Sequence, residues 1–345
     1  MKTKLILVCL LILVLFLVTL PSCKSYPSPT IPSSLSLLVP QRADLIAKVD
    51  IQRIFSDGDF AYLYQQWANK VSDMPTTLNQ FLDLIRSETG VDPRDFTEVV
   101  AFTNVNELID FMGASSYRGS PYFGSLLRGS FSEQSMVQNA EWKANTKFET
   151  YNYKGVKVYS HTEGEVVIVS FAFIDNHLIV VGSATAVEDV IDIMVGEKQP
   201  LSGAVYDLYE SLGDVLFKLS FSVPGIVSSL MPSTADLNHA DFNLRPLRDV
   251  NMVGCTFGKI GSTFVTEVQL HCAYADSAES INTLVNALRT FALEQVEKEI
   301  REPEMKQLIR RSLDEVETRA YGSIFSLRVA QTTADIEELI QSLVD

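Results

Sequence analysis

The sequence predicts an α+β protein with antiparallel or mixed sheets and packed helices. Three observations lead there. Apolar–polar alternation recurs in short segments joined mostly by turns rather than by crossover-length connections, which favours antiparallel neighbours. Segments of helical period lie between them. The order strand, helix, hairpin, helix, strand, helix then occurs twice, which suggests a diverged internal duplication over 43–212 and 213–345.

Each element has its own signal. ADLIAKVD (43–50) alternates as a strand. Phe60, Leu63, Tyr64 and Trp67 mark one face of a helix from Phe60 to Lys70, and Asp57-Gly58-Asp59 reads as its turn and N-cap. A helix from Leu78 to Glu88 stops at Gly90. Glu98–Val105 and Tyr122–Phe131 read as strands, with Leu108, Ile109, Phe111 and Met112 in the connection. Ser132 caps a helix through Trp142. Strands at 153–160, 165–174 and 177–182 follow, the last two turned by Asp175-Asn176, and Thr185 opens a helix closed by Gly196.

In the second half Val215–Ser222 is a strand and VPGIVSSLM (223–231) a short helix. Alternation over 250–274 predicts a hairpin turning at Gly261. Setting Lys259 opposite Ser262 puts Cys255 opposite Thr266 and Cys272 opposite Asp249. The thiols then share an apolar face at a separation of roughly 20 Å. A disulfide needs Cα atoms within about 7 Å, so both are expected free and buried. A long helix, 278–300, carries the apolar stripe Ile281, Leu284, Val285, Leu288, Phe291 and Ala292. A helix near 304–316, a strand over 319–331 and a helix over 335–344 complete the chain. Across 294–317, Glu297/Arg301 and Glu302/Lys306 stand four apart, as on a solvated helix face. The best internal match is LIVVGSATAVEDVIDIM (178–194) with FSLRVAQTTADIEELIQSL (325–343).

The N-terminus is of another kind. Lys2 and Lys4 precede an uncharged run, Leu5–Leu20, that is short for a spanning helix of ~20 apolar residues. Leu-Pro-Ser-Cys follows at 20–23. This arrangement resembles the bacterial lipoprotein signal peptide with its lipobox, over about the first two dozen residues. The resemblance implies a signal peptide at 1–22, cleavage before Cys23, and lipid on the Cys23 thiol. Two or three acyl chains would anchor stably where one would not. An uncleaved N-terminal anchor is the alternative, and either exports the rest of the chain. Residues 23–42, rich in Pro and Ser, read as an extended tether.

Composition bounds the body. At 46% hydrophobic residues it can bury a large core. A formal charge of −15 repels nucleic acid and anionic lipid, so the anchor and not surface basicity is expected to hold the chain to a membrane. No nucleic-acid partner is expected.

The motifs of nucleophile elbow, zinc protease, P-loop and dinucleotide fold are absent from the sequence. No cofactor is expected. His239 and Asp241, in the polar loop 232–246, are the best metal-ligand candidates, yet a metal site needs three or four converging ligands. Trp142, Tyr151, Tyr153 and Tyr159 could stack a sugar or a peptide, against the plainer reading of cross-strand packing. The expected role is therefore that of an exported, lipid-anchored envelope lipoprotein with a non-catalytic binding or structural task, its partner an envelope protein or a wall component. A hydrolase with dispersed residues and a solute-capture protein with a cleft between the halves are the alternatives.

Overall fold

The computed structural model describes residues 32–71, 74–89, 91–113, 120–163, 166–223, 238–239 and 242–342. The strands are β1 (Leu45–Asp50), β2 (Phe96–Thr103), β3 (Phe123–Gly129), β4 (Glu149–Tyr153), β5 (Val156–Glu163), β6 (Val166–Phe173), β7 (Leu178–Gly182), β8 (Phe217–Ser222), β9 (Asn238–His239), β10 (Phe242–Asn243), β11 (Val250–Ile260), β12 (Thr263–Cys272), β13 (Val316–Tyr321) and β14 (Ile324–Thr332). The α-helices are α1 (Ile51–Ser56), α2 (Gly58–Ala68), α3 (Leu78–Thr89), α4 (Val105–Gly113), α5 (Glu133–Ala144), α6 (Ala184–Met194), α7 (Ala204–Ser211), α8 (Ala275–Glu299), α9 (Pro303–Asp314) and α10 (Thr333–Ser342). The α+β class expected from the sequence is what the chain adopts.

Twelve strands make one sheet in the order β13-β14-β12-β11-β8-β1-β2-β3-β7-β6-β5-β4, and β9 pairs with β10 apart from it. All neighbouring strands run antiparallel. The two halves of the chain meet at the centre, where β1 pairs with β8 from Leu45–Phe221 to Val49–Phe217. Outward from that seam the order β1-β2-β3-β7-β6 is matched by β8-β11-β12-β14-β13. The β4–β5 hairpin is an addition to the first half.

Strand alternation decides which face each half buries. The front face carries Val100, Leu126, Val180, Ala172 and Val158, all fully buried and in register across β2, β3, β7, β6 and β5, with Ile46 of β1 on the same face opposite Phe102. Helix α6 covers them with Ala186, Val187, Val190 and Ile191. Helix α7 continues this cover over β8, where the Ser220 hydroxyl donates to the Val205 carbonyl. In the second half the apolar residues lie on the back face: Val253, Leu270, Phe325 and Leu327 pack with Ala278 and Ile281 of α8. Helix α2 joins them through Phe60, whose ring meets Phe257 and Phe264 edge-on. Helix α10 packs on α2.

Several local expectations hold. Ser132 Oγ accepts from Ser135 N–H at 3.3 Å to cap α5, and Asp57 accepts from Asp59 and Phe60 N–H to cap α2. Gly196 ends α6 at φ +78°. Other expectations need correction. The 319–331 strand is a hairpin, β13–β14, because Gly322 at φ +54° makes a two-residue turn. The 250–274 hairpin is shifted by two residues: Gly261 and Ser262 are the turn, so Ile260 pairs with Thr263, Cys255 with Val268 and Cys272 with Val250. The long helix outruns the sheet, leaving Leu288 39% and Phe291 42% exposed. It also ends at Glu299, so Glu297 reaches Lys306 and Arg310 of α9 instead of Arg301. Most of VPGIVSSLM lies outside the described residues.

Candidate functional site

Past α7, whose Leu208 and the following Leu212 cover Gly254 of β11, the front of β12, β14 and β13 is largely polar, and the other helices packed on these strands lie on the back. Registers fix its rows. Thr256, Glu267, Arg328 and Glu317 stand side by side across the four strands, and Gly254, Gln269, Ser326 and Arg319 form the next row. Arg328 Nη1 lies 3.3 Å from Glu317 Oε2, and Gln269 Nε2 donates to Glu267 Oε1 at 2.9 Å. His271 follows on the same face, and burial pushes its pKa down. A depression of about 420 Å³ lies between this surface and the loop carrying Asp214, with Arg53 at its rim. A groove of about 940 Å³ wraps the free side of β13, from Asn282 and Asn286 of α8 on the back to Ser326 and Arg328 on the front. Alternating acids and bases with amide and hydroxyl groups suit a polar partner, since each group offers a donor or an acceptor at the sheet surface.

Polar groups elsewhere are engaged in holding the fold. Asp189 and Asp192 sit buried within the apolar stripe of α6. Tyr122 Oη donates to Asp189 at 2.9 Å and Tyr153 Oη to Asp192 at 3.0 Å. Lys198 pairs with both acids, and Lys154 with Asp192 and Glu197. Burial alone would raise the Asp192 pKa, but bonds from Lys154, Lys198 and Tyr153 outweigh it and hold the carboxyl below its usual range. Lys259 on β11 grips Asp57 and Asp59 at 2.6 Å each, fastening the start of α2. Lys218, 7% exposed, donates to the Tyr209 carbonyl at 3.1 Å and lies over the Tyr209 ring; burial lowers its pKa.

The aromatic residues singled out in the sequence do not form one cluster. Tyr151 and Tyr153 face the front and bond Glu188 and Asp192 of α6. Tyr159, one position off in register, faces the back, stacked on Phe171 at 5.0 Å and donating to Glu133. Trp142 on α5 is 76% exposed. The sequence pattern does not predict a strand over 149–153; β4 forms there and carries Tyr151 and Tyr153, while Tyr159 stands on β5. His239 falls in β9, opposite Phe242, while Asp241 lies outside the described residues, as do the signal peptide, Cys23 and residues 24–31 of the expected tether. From residue 32 on the chain is not an extended tether, since Leu35, Leu38 and Val39 are buried in the first-half core. Among the described residues no group of three or more His, Cys, Asp or Glu side chains is arranged for a metal ion, and no helix is long and apolar enough to cross a membrane. Cys255 and Cys272 are free thiols, and burial pushes both pKa values up.

The polar front was legible in part: Glu267, Gln269 and His271 alternate with apolar residues in the sequence. The acids of α6 carried a signal too, since V-E-D-V-I-D places carboxylates among buried positions. The Lys259 pairing with Asp57 and Asp59 joins residues remote in the chain and left no local trace.

No family model and no curated protein matches the chain. Solved structures of TP0453 are similar to it. Crystal form III aligns at a TM-score of 0.45 with 11% identity, covering 91% of this chain and 98% of that one. Crystal form I aligns at 0.43 with 8% identity over 91% and 99%, and form IV at 0.45 with 10% over 90% and 96%.

Proposed function

We propose that the chain is exported, anchored to a membrane by lipid on Cys23, and that its body works by binding an envelope protein or wall component rather than by chemistry. The binding surface is the polar front of β11, β12, β14 and β13. One observation carries this reading: α6 and α7 cover the front of the first half and the seam, whereas the second half turns charged and amide side chains outward there. The apolar run before Leu20-Pro-Ser-Cys23 supports the anchor. Metabolic labelling with a palmitate analogue tests it: the wild-type chain should take up label and Cys23→Ala should not. A labelled Cys23→Ala variant would defeat the anchor. A photo-crosslinking residue at Gln269 should trap a discrete partner in intact cells, and the same residue at Glu188 should not. Equal trapping at both positions would remove the surface from consideration.

The matched strand orders support descent of the two halves from one unit, with α6 and α10 marking where they parted. Related chains that keep the order β8-β11-β12-β14-β13 as a single half would strengthen this descent. Relatives whose halves differ in order would oppose it.

A further inference from the structure

We propose that β13, at one end of the sheet, pairs with β13 of a second copy of this chain, joining two sheets edge to edge about a two-fold axis. The turn fixes which groups are available. Gly322 and Ser323 connect Tyr321 to Ile324, so the Tyr321–Ile324 pair closes a two-residue turn and is hydrogen-bonded. Alternation then directs the N–H and C=O of Tyr321, Arg319 and Glu317 toward β14, and those of Ala320, Thr318 and Val316 outward.

An antiparallel partner must set outward groups against outward groups. Placing Thr318 opposite Thr318 of the copy does this along the strand, with Val316 opposite Ala320. In that register Glu317 falls opposite Arg319 of the copy, twice by symmetry, on the front face. Glu317 already has Arg328 beside it, and among the described residues Arg319 forms no ion pair. The pairing supplies its partner. Like charges directly opposite would oppose such a contact, and opposite charges support it. The residues of this strand alternate half-buried and exposed, and the groove along its free side leaves room for a strand. No proline or bulge blunts it. At the other end of the sheet, β4 lacks this match: its outward groups set Thr150 opposite Asn152 and Tyr151 opposite itself. A contact of β13 with β4 would not close and would grow filaments rather than dimers.

Disulfide trapping and charge exchange on the full-length chain in detergent test the pairing. Cα atoms of a hydrogen-bonded pair lie about 5.5 Å apart, within disulfide range. Thr318→Cys should therefore form a covalent dimer under mild oxidation, while the wild-type chain and Thr150→Cys should not. By sedimentation, Glu317→Arg and Arg319→Glu should each weaken the dimer at least tenfold, and the double exchange Glu317→Arg/Arg319→Glu should restore it. Circular dichroism matched to wild type confirms that each variant is folded. A wild-type chain that stays monomeric at all concentrations overturns the proposal. So does a double exchange that leaves the loss unrepaired, or assembly into open polymers linked through Thr150→Cys.

Discussion

The two halves of the sheet share a strand order but set their main apolar layer on opposite faces. Helix α6, after β7, lies on the front; α10, after the corresponding β14, packs on α2, which lies on the back. The preceding strands explain the difference. Front positions of the first half are Val100, Leu126 and Val180, on which an apolar helix can dock. The same face of the second half presents Glu267, Gln269, Ser326 and Arg328, where an apolar helix would cover charges it could not pair. Sequence similarity between the segments 178–194 and 325–343 thus says less about placement than the parity of the strands beside them. A helix goes where the alternation has put the oil.

Four experiments bear on this contrast. The largest effect is expected in the first-half core. Ile191→Ala in α6 should cost about 3 kcal/mol, as for other fully buried isoleucines. Leu339→Ala in α10, which is half-buried, should cost about 1 kcal/mol. Urea unfolding of both variants measures the gap, and equal losses would erase the distinction.

Next comes the acid pair under α6. Asp192→Asn removes the buried carboxylate that Lys154 and Lys198 share, leaving each with one acid, Glu197 and Asp189, and should cost about 2 kcal/mol. Its pH dependence has a definite sign. The folded-state pKa is lowered, so the contribution is complete above the unfolded-state value, near pH 4, and disappears as pH falls through the lower folded value. Wild-type stability should therefore fall in that acid window by an increment that the Asn variant lacks. An identical acid slope in both would sink the assignment.

A smaller loss, about 1 kcal/mol, is expected for Lys259→Met, which frees Asp57 and Asp59. Amide exchange should quicken in α2 and stay unchanged in α6. Uniform quickening would mean that the pair serves the whole fold rather than one helix. The smallest effect is expected on the polar front. Glu267→Leu with Gln269→Val should shift stability by no more than about 0.5 kcal/mol while increasing binding of an apolar dye. A loss above about 2 kcal/mol would show that this surface is packed.

The sequence disclosed elements better than their assembly. Alternation in ADLIAKVD, the cap at Ser132 and the glycine at 196 were enough to read β1, α5 and the end of α6, because each depends on neighbours in the chain. Helices α1, α4 and α7 were missed, being short segments with little room to display a period. Alternation alone sets the register of β11 with β12 two residues off, because only backbone geometry tells which residues flank Gly261 in the turn. For the candidate surface, the polar side of β12 was visible as Glu267, Gln269 and His271. That the second half packs its helices on the opposite side depends on where α8 and α10 dock, and no local pattern carries that.

The central seam has a consequence in time. Residues 45–49 are made long before 217–221, with which they pair. At ~5–20 residues per second the interval is on the order of ten seconds. Throughout it β1 is the last strand of an incomplete sheet, with Ile46 on one side and unpaired peptide groups along its margin. Such an edge invites wrong partners. The first half must therefore wait in an adhesive form, and a chain broken off before β8 would never leave it.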